Sequence, residues 1–272
     1  MVTATITPPK ALPFSFLTRQ RLPASDIRIL DPLRETHVAL AFAVAYIGAA
    51  FLTAVIERAW PAPLGGATAL TSDATYALGF KIGVLLVVPV IAIRRSGYTV
   101  DDLLLGWRPT VGSVARIMIL FLAGLLLNAS KIAPIRDAVD ALPPLEAALR
   151  VGFGCIVVLF CAGIPEELVY RWGLQTRLER AWGRVAAIFV TAVLFTAWHL
   201  PTRYFLAEGA EGTAGDFGSV LLGTGLPVFL VALILGWAWD RWRNLPGLVF
   251  LHWGVDTLPS VASLLQLPVG EH

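Results

Sequence analysis

The chain has 272 residues, 57% of them hydrophobic and 15% charged, with a mean hydropathy of +0.72. A soluble domain carries about 25% charged residues, so this composition reads as an all-α, polytopic membrane helical bundle. The formal charge of +2 gives no reason to expect a nucleic-acid partner, and no Gly-rich phosphate loop is present.

Residues 1–35 form a polar, Pro-containing tail with Lys10, Arg19, Arg21, Arg28 and Arg34. It is expected to be mobile or to lie on the membrane surface. It has no short apolar core followed by a small-residue cleavage site, so the first transmembrane helix is expected to drive insertion. The transmembrane domain then runs over 36–272. Its first span is His37 to Ile56, with Ala41, Ala45 and Ala49 as a small-residue stripe for close packing. After a Pro/Gly-rich loop from Trp60 to Gly66, the second span covers about Thr75 to Ile93. It contains Gly79 and Gly83, and Lys81, which reads as buried in a pair or snorkelling. Tyr98 to Pro109 is too short and charged to span, and reads as an interfacial connector helix anchored by Trp107.

The third span is about Gly112 to Asn128, and a mixed-charge loop with Pro134, Pro143 and Pro144 leads to the fourth, Leu149 to Ile164 and beyond. Cys155 and Cys161 within it point different ways and read as packing residues. The fifth span is about Val185 to Leu200, extending toward Leu206. The sixth is Val220 to Trp239, and the seventh starts at Pro246, a favoured first-turn position, and ends near Leu265. Lys and Arg in the connections number fourteen on the side of the N-tail and five on the other. That bias predicts a cytoplasmic N-terminus.

Three clusters of polar residues interrupt the apolar pattern. The first is Gly163 to Trp172, GIPEELVYRW. A carboxylate in hydrocarbon costs roughly 2.5–3.5 kcal/mol on insertion scales, so such groups face a bundle interior or a water-filled cavity and mark function. Glu167 and Arg171 are four apart and share a face, whereas Glu166 lies about 100° round the helix. Pro165 removes a backbone N–H beside it. The second cluster is FTAWH, ending in His199, and the third is HWGVD, with His252 and Asp256 on one face. Glu166 lies 16 residues before Trp182, at the turn between spans four and five, and His199 lies 17 after it. Both therefore rise to one depth, roughly 25 Å from the tip, or about 10 Å below the surface if polar 175–184 projects into water. His252, about 9 Å into span seven, reaches a similar level. The Glu167–Arg171 pair by itself is equally well read as a structural ion pair, and either histidine alone as an interior residue. The convergence of all of them reads as a site.

PEELVYR, FTAWH and HWGVD resemble, in order, the EExxxR, FxxxH and HxxxN/D motifs of the CPBP intramembrane proteases. That family includes CAAX prenyl endopeptidases and bacteriocin-processing or immunity (Abi) proteins. The resemblance covers roughly 98–265. It implies an intramembrane endopeptidase in which Glu166 is the general base on a water, His199 shares that water, and His252 and Asp256 stabilise the oxyanion. Glu167 and Arg171 would support the motif. Asp256 departs from the Asn of better-characterised members, and it donates a hydrogen bond only when protonated; otherwise it would orient His252. Glu166, His199 and His252 could ligate zinc with an open fourth position, but no HExxH pair is present and no obligatory cofactor is expected. The implied partners are the bilayer and a peptide or membrane-anchored protein substrate, in a bacterial cytoplasmic membrane. Two other readings stay open: a non-catalytic scaffold or immunity protein of the same fold, and, more distantly, a transporter, against which no internal repeat is found. Neither the natural substrate nor the oligomeric state is legible.

Overall fold

The structure is a computed structural model, and it describes residues 27–59, 76–105, 107, 110–207 and 211–265. Among these there is no strand. The elements are α1 (Pro32–Ala59), α2 (76–95), α3 (Val100–Leu104), α4 (Val111–Leu127), α5 (Ile132–Asp140), α6 (Pro144–Trp182), α7 (Arg184–Leu206), α8 (Phe217–Trp242) and α9 (Leu245–Leu265). Five of them, α1 and α6 to α9, are long and apolar enough to cross a membrane. A sixth span is made if α4 and the bent segment after it, Ala129–Asp140, count as one. Seven were expected, and the difference is α2. The protein is a polytopic all-α membrane bundle.

Several expectations are corrected. The Pro-containing loop after span three is a helical turn and then α5, bent 67° from α4. Pro134 is tolerated because it falls in the first turn of α5, where its missing N–H has no intrahelical partner to lose. On α1 the expected stripe is displaced. Ala41 and Ala45 face outward, and the buried row is Ala43, Tyr46, Ala50 and Ala54. Both rows have helical spacing, and the partners α6 and α7 select between them. The connector helix is only five residues, capped at Thr99 by reciprocal bonds with Asp102 and stopped at Leu105 in the left-handed region. The end of the N-terminal tail is packed, with Ile27 buried and the Arg28 guanidinium 3.3 Å from the Asp102 carboxylate. The rest of the tail, the loop from Trp60 to Gly66 and the side chain of Lys81 lie outside the described residues.

The largest correction concerns the end of α6. Of the polar run from Gln175 to Arg184 only the end, 180–184, is exposed: Gln175, Thr176, Arg177 and Glu179 are all buried. Each of these side chains meets a partner from another helix or turn. The Gln175 amide donates to Gly236 O (2.7 Å), and the Trp239 indole donates to Thr176 Oγ1 (3.1 Å). Arg177 pairs with Glu35 (3.0 Å), and Glu179 pairs with Arg243. In a bilayer, helix association is driven by van der Waals packing and interhelical hydrogen bonds. This network fixes α6 against α1 and α8, and thereby fixes the level of the residues above it.

Candidate active site

Glu166 sits where the hydrogen-bond ladder of α6 changes register. Wide π-type turns occupy Leu159–Gly163 and Glu167–Gln175, on either side of Ile164–Glu166. Pro165 supplies one physical cause, since it cannot donate to the preceding turn. Such widened turns are frequent at functional sites. They turn both carboxylates inward: Glu166 is 3% exposed and Glu167 is fully buried.

His199 comes from the middle of α7. Its Nδ1 lies 2.8 Å from Phe195 O, a carbonyl that can only accept, so Nδ1 carries the proton. The other ring nitrogen, Nε2, then faces Glu166, with 3.8 Å between Nε2 and Oε2.

His252 is held from α9. Its Nδ1 donates to Glu167 Oε1 at 2.8 Å. Its Nε2 stands 3.2 Å from Asp256 Oδ2 and 3.9 Å from Glu166 Oε2. The helix that carries it is placed by close backbone contact. Gly254 and Gly124 face each other, and a Cβ on Gly254 would stand 2.1 Å from Phe121 O. Only glycine allows this approach of α9 to α4. Asn128 Nδ2 donates to Val255 O (2.7 Å), and Trp253 Nε1 to Cys155 O (2.8 Å), which tie the same turn to α4 and α6. Both cysteines are free thiols.

Arg171 and Glu167 form a fully buried pair, Nε to Oε2 at 3.3 Å, and the guanidinium lies 4.9 Å from the centre of the Phe195 ring. Glu167 thus has two roles on one carboxylate, balancing Arg171 and orienting His252. Phe195 is the common wall: its ring also contacts Tyr170 (5.1 Å), His199 (4.7 Å) and His252 (6.0 Å) between centroids. Tyr170 was not singled out in the sequence. Its buried hydroxyl has no hydrogen-bond partner among the described residues, and it lies four residues after Glu166, a spacing that puts it on the same face. That spacing was the available signal.

All six expected residues, Glu166, Glu167, Arg171, His199, His252 and Asp256, are therefore brought into one cluster. Asp256 is at its rim, with a side chain 40% exposed against 4% for His252. The donor set of Glu166, His199 and His252 has zinc-ligand chemistry, but its oxygen–nitrogen separations of 3.8 and 3.9 Å exceed the about 3.3 Å edge of a tetrahedral site. No group of three His, Cys, Asp or Glu among the described residues has an arrangement fit to hold a metal. As arranged, the gap is one that a water can bridge, hydrogen-bonded to a carboxylate oxygen and an imidazole nitrogen at once.

Fold and site together define a polytopic helical membrane protein with a buried glutamate–histidine centre. Residues 149–258 match the model of the type II CAAX prenyl endopeptidase Rce1-like family. This matched segment holds all six residues, and the similarity is in keeping with the CPBP/CAAX protease resemblance. Comparison with curated proteins and with solved structures gave no match.

Proposed function

We propose that the protein is an intramembrane endopeptidase that hydrolyses peptide bonds of membrane-associated peptides or proteins with a water activated by Glu166 and His199. The observation that carries this reading is the approach of Glu166 Oε2 to within 3.8 Å of His199 Nε2 and 3.9 Å of His252 Nε2 in a buried site. Glu166 takes a proton from the water as its oxygen attacks the substrate carbonyl, and His199 Nε2 orients that water. The carbonyl becomes a tetrahedral oxyanion. His252, donating Nδ1–H to Glu167, meets the oxyanion with its Nε2–H in the doubly protonated form. Glu166 then delivers its proton to the departing amine as the C–N bond breaks, which restores the carboxylate. Asp256, at the rim and 3.2 Å from His252 Nε2, accepts that N–H as a carboxylate in the resting site and yields it to the oxyanion as the latter forms. No metal is required by this scheme. The N-terminus is cytoplasmic, and the setting is a bacterial cytoplasmic membrane.

The test is cleavage of a peptide library by detergent-purified protein, with Glu166→Ala and His199→Ala alongside and a chelator added in parallel. Activity that both substitutions abolish and the chelator spares supports the reading. Loss with chelator restores a metal to the site. Phenotypic complementation by the Glu166→Ala protein would instead support the scaffold or immunity role.

A further inference from the structure

Away from the glutamate–histidine cluster, α1 and α2 enclose a cleft of about 100 Å³ floored by α6. The two helices meet deep in the bundle, where the Tyr46 hydroxyl donates to Val84 O (3.4 Å). Toward the other end, the lining comes from separate faces of each: Val38, Ala39 and Phe42 on α1, and Pro89, Ala92 and Ile93 on α2. This part of the lining is hydrocarbon. The polar groups at its end are already satisfied by one another. Tyr98 donates its hydroxyl to Glu35 at 2.6 Å, and Arg177 pairs with the same carboxylate at 3.0 Å. Water in the cleft would therefore find few partners, whereas a hydrocarbon chain would find contact along its length.

The rim has the opposite character. Arg34, Arg94 and Arg95 are all exposed. Arg34 stands one helical turn from Val38, and Arg95 one turn from Ala92, so both flank the mouth. Asp31 also lies there, and its carboxylate accepts from the Arg34 backbone N–H (3.1 Å). An apolar slot between two helices of the membrane bundle, rimmed with arginines at one end, is complementary to an acyl chain joined to an anionic headgroup.

We propose that this cleft binds one anionic phospholipid, with an acyl chain between α1 and α2 and its phosphate among Arg34, Arg94 and Arg95. The site is independent of the proposed peptidase chemistry. The lipid fills the space between α1, α2 and α6, so its occupancy supports the helix that carries Glu166.

The experiment uses the full chain purified in detergent. Thermal unfolding is followed on addition of dioleoylphosphatidylglycerol, dioleoylphosphatidylcholine or glycerol phosphate alone, and native mass spectrometry counts retained lipid. The expected result is one retained phosphatidylglycerol and a Tm rise with that lipid that exceeds the rise with phosphatidylcholine. Glycerol phosphate should do neither. The double variant Arg94→Gln/Arg95→Gln, altered only at exposed positions, should weaken phosphatidylglycerol binding about 25-fold, on about fivefold per arginine. Ala92→Phe, which fills the cleft, should abolish retention. Equal effects of the two lipids, or an unchanged phosphatidylglycerol effect in either variant, would overturn the proposal. A headgroup analogue that matches the intact lipid would reduce the site to an anion contact and overturn the chain placement. Val38→Trp serves as the filling variant if Ala92→Phe does not fold.

Discussion

At the scale of single residues, the site is a division of labour between adjacent carboxylates. Glu166 faces two imidazole nitrogens, while Glu167 faces a guanidinium and the far side of one of those rings. Glu166→Gln keeps the shape and removes the proposed base, and should lower peptide cleavage by about 10²–10⁴-fold with Tm unchanged. Arg171→Met acts differently. It leaves Glu167 charged and buried without its cation, a change that costs about 3–5 kcal/mol for a buried pair. Its signature should be a lowered thermal midpoint, together with lost activity. Were Arg171 a dispensable neighbour, the midpoint would stay where it is. Both carboxylates were legible in the sequence from their setting in an apolar run. What was not legible was the bond from Glu167 to His252, because residues 85 apart in the chain meet only through the packing of α6 on α9.

At the scale of elements, the position of His252 depends on how closely α9 approaches α4. Gly254 lies two residues along from His252, and its missing Cβ lets the two backbones touch. Gly254→Ala should push the helices apart. Overpacking costs about 1–3 kcal/mol in a well-packed interior, and a shift of 1 Å at a catalytic group costs about 10²-fold in rate. The expected outcome is a moderate fall in Tm and a disproportionate fall in cleavage. Gly124→Ala/Gly254→Ala should be non-additive, since the two glycines occupy one contact. The HWGVD motif displayed this glycine, but nothing in its spacing marked Gly124 as the partner. On α1 the periodicity pointed to Ala41, Ala45 and Ala49, and only the neighbouring helices put Ala43, Tyr46, Ala50 and Ala54 inside.

Across the whole molecule, the connector, the first span and the end of α6 meet around Tyr98. Burial, and then the hydrogen bond to Glu35, push the Tyr98 phenol above its ordinary value of 10.0. A raised folded-state value means that the protonated form is favoured by folding. The stabilisation is therefore fully present below pH 10 and is lost as pH rises through the folded-state value. Tyr98→Phe should lower Tm at pH 8 and flatten the alkaline decline seen above pH 10 in the parent protein. A decline of the same steepness in both would assign it to other groups. This junction also explains the buried polar run at the end of α6. Gln175, Arg177 and Glu179 read as solvated from composition alone, yet α8, α1 and the turn after α8 bring each a partner.

The sequence by itself determined the class of the protein, the course of most of its helices and the residues of its candidate site. Hydropathy and helical period are local properties, and a carboxylate or histidine in an apolar run stands out without any knowledge of its neighbours. Tertiary structure decided which face of each helix is inside, which charges are buried, and which carboxylate serves which histidine. Those outcomes depend on distances between segments remote in the chain. In a bilayer, where the solvent does not sort apolar faces inward, close packing and interhelical hydrogen bonds make the choice.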